Sequence, residues 1–174
     1  ISTDYVFGDQ NTGCLPWQPD APTEPLQVYG RTKLAGEQIA LQTCADALVV
    51  RTSWLYGEPR TGGGFVGTIL KLAKTRDRLT VIDDQVGRPT YVPHIAPVII
   101  DLIQVEAQGV WHLAGGSMGS WHELATAVVG GAKARGAELA VREVAPISSA
   151  EWGARARRHS WSVLDLSRTE AFLG

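Results

Sequence analysis

Residues 28–57 read VYGRTKLAGEQIALQTCADALVVRTSWLYG, and they decide the fold. The first half reads as a helix. The apolar run ALVV within ALVVRTSWLYG reads as a strand buried on both faces, the pattern of a parallel sheet covered by helices. Upstream, ISTDYVFG begins apolar and β-branched and then meets Thr3, Asp4 and a glycine, so it reads as a strand running out into a loop. Residues 8–25 carry four prolines and read as loop. Downstream, Phe65 to Lys74 is an amphipathic helix, with Phe65, Ile69 and Leu72 on one stripe. Leu79 to Ile82 is a short strand leading into the loop DDQVGRPT, and His94 to Leu102 is a helix with Ile95, Val98, Ile99 and Leu102 facing inward. GVWHLAG returns as a strand. Ser120 with Glu123, and Ser167 with Glu170, have the spacing of capping boxes opening two further helices, and Leu139 to Val144 is the expected last strand. Strands alternating with helices imply an α/β layered body, without an internal repeat.

Tyr29 and Lys33 stand four residues apart on the first helix, so they share one face. A free phenol titrates near ~10, and general acid catalysis works best when the pKa lies near the operating pH. A cation ~4 Å from a phenol, at an effective dielectric of about 20, favours the phenolate by up to ~4 kcal/mol. The pair therefore reads as a general acid and the cation that tunes it. Open α/β sheets bind ligands beyond the carboxyl ends of their strands, and Thr3 sits at such an end. Thr3, Tyr29 and Lys33 form the candidate catalytic constellation.

With 174 residues, 44% hydrophobic and 20% charged, the chain can bury an ordinary core. A net charge of −2 and a pI near 6.1 supply no basic field for nucleic acid or anionic membrane. No run approaches the ~18 apolar residues of a membrane span and no signal peptide is visible, so the cytoplasm is the expected location. Cys14 and Cys44 lack a CxxC spacing and read as free thiols. His112 alternates with inward-facing strand residues and reads as packed. Neither His94 nor His112 has a metal-ligand partner at helical spacing, so the histidines and carboxylates read as structural, and no metal ligand is assigned.

STDYVFG at 2–8, YGRTKLAGE at 29–37, RTSWLYG at 51–57 and DDQVGRPTY at 83–91 resemble, in order, the signatures of the dTDP-4-dehydrorhamnose reductase family. That family lies within the extended short-chain dehydrogenase/reductase superfamily. WHLAG at 111–115 and SVLDLSRTEAFLG at 162–174 are similar to its last strand and C-terminal segment, so the resemblance covers almost the whole chain. It implies the C-terminal portion of a Rossmann-like, doubly wound parallel sheet plus a smaller α/β substrate-binding region. Residues 1–60 would belong to the catalytic core, and 61–174 mainly to the substrate-binding region, interleaved with late core elements. It also implies reduction of the C4 keto group of dTDP-4-dehydro-L-rhamnose by NADPH or NADH, as in polysaccharide precursor synthesis. Thr3, Tyr29 and Lys33 fall on the family's triad, with Tyr29 and Lys33 also touching the cofactor. Trp54, Gln85, Arg88, Pro89 and Thr90 fall on its substrate pocket.

Beside those roles stand plainer ones: Trp54 also reads as a core aromatic, and Gln85 to Thr90 as a solvated loop. Arg88 could pair bidentately with a diphosphate. The chain departs from the family at Gly64, where an asparagine is usual, at Arg158-His159, where Arg-Pro is frequent, and at His94, where many relatives carry aspartate at a helix start. A regulatory subunit resembling that of methionine adenosyltransferase, which also keeps STDYVF and the YxxxK helix, is the alternative. Another nucleotide-sugar reductase or epimerase is a further one. RTSW and DQxGxPT favour the dTDP-4-dehydrorhamnose reductase.

A dinucleotide fold needs a glycine-rich turn between its first strand and helix, and none is present. The cluster Arg60-Thr61-Gly62-Gly63-Gly64-Phe65 has neither the GxGxxG nor the GxxxxGK[ST] pattern and reads as a loop. The chain reads as a C-terminal fragment whose cofactor-binding half is absent. An opened parallel sheet leaves an unpaired edge, so a homodimer through that edge is expected. Calorimetric titration of these 174 residues with NADPH should give no measurable binding heat, and saturable binding would overturn the fragment reading.

Overall fold

On the central strand, Leu48 and Val50 face one way and Val49 and Arg51 the other, and all four are at least half-buried, so helices must cover both sides. The computed structural model describes residues 1–9, 13–58, 64–154 and 156–174. In chain order the elements are β1 (Ser2–Thr3), a 3₁₀ turn (Asp4–Val6), α1 (Val28–Thr43), β2 (Leu48–Thr52), β3 (Leu55–Tyr56), α2 (Gly64–Ala73), β4 (Arg78–Ile82) and β5 (Val86–Gly87). Then follow β6 (Thr90–Tyr91), α3 (Val92–Gln104), β7 (Gly109–His112), β8 (Gly119–Ser120), α4 (Trp121–Ala134), β9 (Glu143–Ile147), α5 (Ser149–Trp152) and α6 (Ser167–Leu173).

The main sheet has the order β1-β2-β7 and is parallel throughout, with Thr3 beside Thr52 and Val50 beside Trp111. Helix α3 closes one face, where Ile95, Val98 and Ile99 pack on Leu48, Val50 and Leu113. Helix α1 closes the other. Its buried stripe is Gly30 and Glu37 rather than aliphatic, because Glu37 meets Arg51 of β2. The contact is bidentate, with Arg51 Nε to Oε1 at 3.0 Å and Nη2 to Oε2 at 2.7 Å, and both side chains are about 5% exposed. Arg51 Nη1 also donates to the Pro19 carbonyl at 3.0 Å, and its guanidinium lies over the Phe7 ring. One buried pair thus joins α1, β2 and two loops.

A second body of structure forms around β4 and β9, parallel from Arg78 beside Glu143 to Ile82 beside Ile147. Helices α2 and α4 cover it through Ile69, Ala73, Leu79, Val81, Ala125, Val129 and Val141. Parallel neighbours need a long crossover, and everything from β5 to α4 supplies it. The two short pairs β3–β6 and β5–β8 lie in the connecting loops. Near the C-terminus, Trp17 bridges Leu164 and Val86 bridges Trp161, so residues 160–165 are zipped between two loops.

The α/β reading holds, as does the capping box at α4: Glu123 N–H donates to Ser120 Oγ at 3.0 Å, and Ser120 N–H to Glu123 Oε2 at 2.7 Å. The expected last strand lies later, at Glu143–Ile147, because Val141 is turned into the α2–α4 core instead of pairing. Ser167 does not cap α6 with Glu170. It is the helix's first residue, and the Asp165 carboxylate accepts both its N–H and its hydroxyl. His94 is not a cap either, since Tyr91 holds that position and the imidazole packs edge-on against it. A second capping box, Ser148 with Glu151, opens α5 and escaped the sequence reading. Arg60 to Gly63 of the glycine cluster lie outside the described residues, and Gly64 and Phe65 begin α2. Both cysteines are exposed and free. Among the described residues no helix is long and apolar enough to cross a membrane.

Breaking a buried ion pair strands a charge and costs about 3–5 kcal/mol, whereas replacing both partners with apolar groups of similar shape is often tolerated. Glu37→Leu should therefore lose about 3–5 kcal/mol in urea titration, and adding Arg51→Met should restore much of it. A single variant as stable as the parent would show that the pair does not hold α1 to the sheet.

Candidate active site

The site grows from the end of β1. Thr3 is extended and caps the 3₁₀ turn, with its Oγ1 accepting from Tyr5 N–H at 3.2 Å and donating to Asp4 Oδ1 at 3.0 Å. Helix α1 reaches this turn through Gly30, whose absent Cβ would fall 2.1 Å from the Tyr5 carbonyl oxygen. Only a residue without a Cβ lets the helix come this close. That approach brings Tyr29 against Tyr5, ring edge to ring face, with centroids 5.9 Å apart. Tyr29 remains 52% exposed, which leaves its hydroxyl free to meet a ligand. One turn on, Lys33 Nζ donates to the Ile1 carbonyl at 2.6 Å, just before β1. Thr3 thus lies on a two-residue strand that Lys33 meets at the preceding residue and Tyr29 at the following turn.

An ammonium carries three N–H donors, and the Ile1 carbonyl takes one of Lys33's. The rest of the side chain lines a groove of about 270 Å³ with Ser2, Thr32, Gly36 and Glu37. This donor set beside the sheet suits hydroxyl oxygens, such as those of a ribose.

Trp54 lies two residues beyond Thr52, the register partner of Thr3, so both stand at the carboxyl ends of adjacent parallel strands. Its backbone has φ +45, a left-handed conformation that costs a bulky residue about 1–3 kcal/mol and concentrates at functional sites. The indole stacks on Trp121, with centroids 3.6 Å apart and planes 6° from parallel. One face is thus occupied, and Gly87 lies against the ring at Cε2 and Nε1.

The DDQVGRPT loop is stitched to the same strand end. Ser53 Oγ donates to the Arg88 carbonyl at 2.9 Å, and Thr90 N–H to the Trp54 carbonyl at 3.1 Å. Thr90 is fully buried, its Oγ1 donating to the Arg88 carbonyl and accepting from Gly115 N–H. Gln85 is buried and donates to Ser149 Oγ. Pro89 backs onto Gly115 and lines a cavity of about 410 Å³ with Tyr56, Tyr91 and His94. That cavity includes neither Thr3 nor Tyr29.

Arg88 is engaged within the protein. Its Nε donates to the Leu164 carbonyl at 2.8 Å, and its Nη1 to the carbonyls of Gly115 and Gly116. Partial burial lowers its pKa, while Glu170 and Asp165 act in the opposite sense. The carbonyl contacts leave Nη2 as the part of the guanidinium not committed by them.

Three titratable groups went unread as site residues. Burial pushes Asp4 up to about 7, against the hydroxyls of Thr3 and Ser162, which favour the carboxylate. Among the described residues its Oδ2 has no hydrogen-bond partner, and it lies 3.8 Å from His159 Nε2, which has none among them either. Burial pulls His159 down to about 4. Tyr5 is raised, chiefly by burial. The departure at His159 was the one signal in the sequence. His112 is packed as expected, its Nδ1 near the Asp165 carbonyl and its pKa lowered to about 4 by burial and by Arg51. Among the described residues no group of three His, Cys, Asp or Glu is arranged to hold a metal.

Residues 1–174 match the family described as RmlD substrate binding domain. The chain is 38% identical over 164 residues to the spore coat polysaccharide biosynthesis protein SpsK of Bacillus subtilis, covering 94% of this chain and 54% of that protein. It is 39% identical over 172 residues to the dTDP-4-dehydrorhamnose reductase of Salmonella typhimurium, covering 96% of this chain and 56% of the relative. The crystal structure of dTDP-4-dehydrorhamnose reductase from Bacillus anthracis in complex with NADP superposes with a TM-score of 0.88 at 34% identity, over 99% of this chain and 58% of that one. The chain thus spans a little over half the length of these relatives.

Lysine cannot reproduce a guanidinium fork that reaches three carbonyls. Arg88→Lys should lower stability by about 1–3 kcal/mol, read from the urea midpoint. An unchanged midpoint would show that the clamp on Leu164, Gly115 and Gly116 carries no load.

Proposed function

Because this chain belongs to the RmlD substrate binding domain family, we propose that it supplies the acid–base groups and the sugar-binding side of a dTDP-4-dehydrorhamnose reductase. The reaction is reduction of the C4 keto group of dTDP-4-dehydro-L-rhamnose. The observation that supports this reading is that α1 brings Tyr29 to the turn after β1 and Lys33 to the residue before it, with Thr3 on the strand between them and Trp54 beyond the neighbouring strand.

In the mechanism, Tyr29 donates the proton that the C4 oxygen gains as the carbonyl becomes an alcohol. Its exposure allows the approach, and the Gly30 contact holds it in place. The Thr3 hydroxyl holds the same oxygen from the strand side. Lys33, fixed by the Ile1 carbonyl, places a positive charge one helical turn from the phenol and offers its remaining donors to the ribose of the cofactor. NADPH or NADH, when bound, supplies the hydride.

Trp54 offers its unstacked face to the apolar face and methyl group of the deoxysugar. The strained backbone there supports a functional role. Gln85, Pro89 and Thr90 shape the wall beside it, and the free side of Arg88 faces the nucleotide. Residues 1–60 act as the late part of the catalytic core, and 61–174 mainly as the substrate region, to which β7 and α3 are the exceptions. The protein works in the cytoplasm, as a homodimer.

In the full-length protein, Tyr29→Phe should cut kcat for the 4-keto sugar by about 10²–10⁴-fold with little change in KM, because the lost proton matters mostly in the transition state. Steady-state NADPH oxidation reads this directly, and a variant with full turnover would remove Tyr29 as the acid.

A further inference from the structure

A hydroxyl has one hydrogen to give. In this structure Thr3 gives it to Asp4 Oδ1, while its oxygen accepts from Tyr5 N–H. A Thr3 arranged in this way has no hydrogen left for a substrate carbonyl. It regains one only if the Asp4 acid hydrogen sits on Oδ1 and points toward Thr3, because Oγ1 then accepts from Asp4 and turns its own hydrogen outward.

The other oxygen of Asp4 is placed to decide this. Oδ2 faces His159 Nε2 at 3.8 Å, both atoms lack hydrogen-bond partners among the described residues, and both side chains are 2–3% exposed. His159 is held there by a backbone ladder. Val86 N–H donates to the Ser160 carbonyl, Ser162 N–H to the Val86 carbonyl, and Trp17 N–H to the Val163 carbonyl. The imidazole also packs edge-on against the Tyr5 ring, centroids 5.0 Å apart. A neutral imidazole with its hydrogen on Nε2 that closed this 3.8 Å gap would donate to Oδ2, which leaves Oδ1 as the place for the acid hydrogen.

We propose that Asp4 and His159 are positioning residues for the reductase reaction: neutral Asp4, oriented by His159, turns the Thr3 hydroxyl hydrogen toward the substrate's carbonyl oxygen, and ionised Asp4 takes that hydrogen back. The inference rests on the proposed reductase reading. Burial, which raises Asp4 to about 7 and lowers His159 to about 4, keeps the pair in the competent state below neutrality and discharges it above. Among the described residues, the other charged and titratable groups around the pair are Tyr5 on the same turn, Tyr29 on α1, Asp9 on the following loop, and Arg158 beside His159. Asp9 is itself paired with Arg157. Arg158 and Asp9 act on His159 in opposite directions.

The sign follows from which form is competent. As pH rises through the Asp4 ionisation, kcat should fall by about tenfold per unit while KM for the sugar changes little, since the lost contact acts on developing charge. In the full-length protein, Asp4→Asn carries a permanent N–H donor toward Thr3, so this limb should vanish. His159→Gln retains a donor toward Oδ2 and should leave the limb in place. His159→Leu removes that donor, disfavours the carboxylate, and should move the limb to higher pH. A role for His159 in packing alone would weaken both His159 variants without moving the limb, and that result would overturn the proposal. So would an unaltered limb in Asp4→Asn. Should Asp4→Asn fail to fold, the two His159 profiles decide.

Carbon-13 NMR of the Asp4 carboxyl gives a reading that needs no turnover. Titration near neutrality is the expected result, and a carboxylate throughout about pH 5–9 would overturn the inference even in an active reductase. If the carboxyl titrates but no nucleotide sugar is reduced, the functional reading fails and takes with it the catalytic role assigned to the pair.

Discussion

The buried Glu37–Arg51 pair is the contact on which the rest of the site depends. Helix α1 has little apolar surface to press on the sheet, and two of its large aliphatic residues, Ile39 and Leu41, point outward. Its attachment comes instead from a bidentate ion pair in a place where neither charge meets water. Such pairs are poor sources of net stability, because desolvation offsets much of the attraction, but they are exacting about geometry. A guanidinium fork accepts a carboxylate in one plane, so α1 can rotate or slide little on β2. Tyr29 and Lys33 lie on that helix, and Thr3 on the strand beside β2. The pair therefore sets the relation between the phenol, the ammonium and the hydroxyl although it touches none of them.

The Gly30 contact adds a second constraint. A helix that rests on a backbone carbonyl through a glycine sits closer than side chains would allow, and the phenol beside it is carried to the strand end. Farther along the chain, the segment at 160–165 links the Trp17 loop to β5. Arg88 ties that segment to the Gly115–Gly116 turn. These loops come from distant parts of the sequence and share an apolar cluster of Val6, Phe7, Trp17, Leu164 and Leu166. Hydrogen bonds from Arg88 to backbone carbonyls add to that packing, and they turn inward an arginine in a loop expected to grip phosphate.

Much of the scaffold was legible in the sequence. The buried strand ALVV, the amphipathic stripe of Phe65, Ile69 and Leu72, and the capping box of Ser120 and Glu123 are written in neighbours one to four residues apart, and the structure keeps them. The readings that moved are those where two local patterns compete. Ser167 has the spacing of a cap, yet Asp165, two residues before it, offers a charged acceptor that wins. Val141 belongs to a β-rich run, yet the α2–α4 core takes its side chain. Helix α1 was read through Tyr29 and Lys33, while its fastening to Arg51 went unread, because a glutamate on a helix looks solvated until the strand opposite is known.

The sequence alone determined the α/β class and the main alternation of strands with helices, because these follow from backbone sterics and from spacing along one element. The tertiary structure alone decided that Asp4 is shut away from water with His159 facing it, that Trp54 is stacked on Trp121, and that Arg88 spends its donors on carbonyls. Each of those depends on which distant segment removes water from the group and which partner it leaves in water's place. Desolvation is a property of the assembled surroundings, and no spacing within one segment records it.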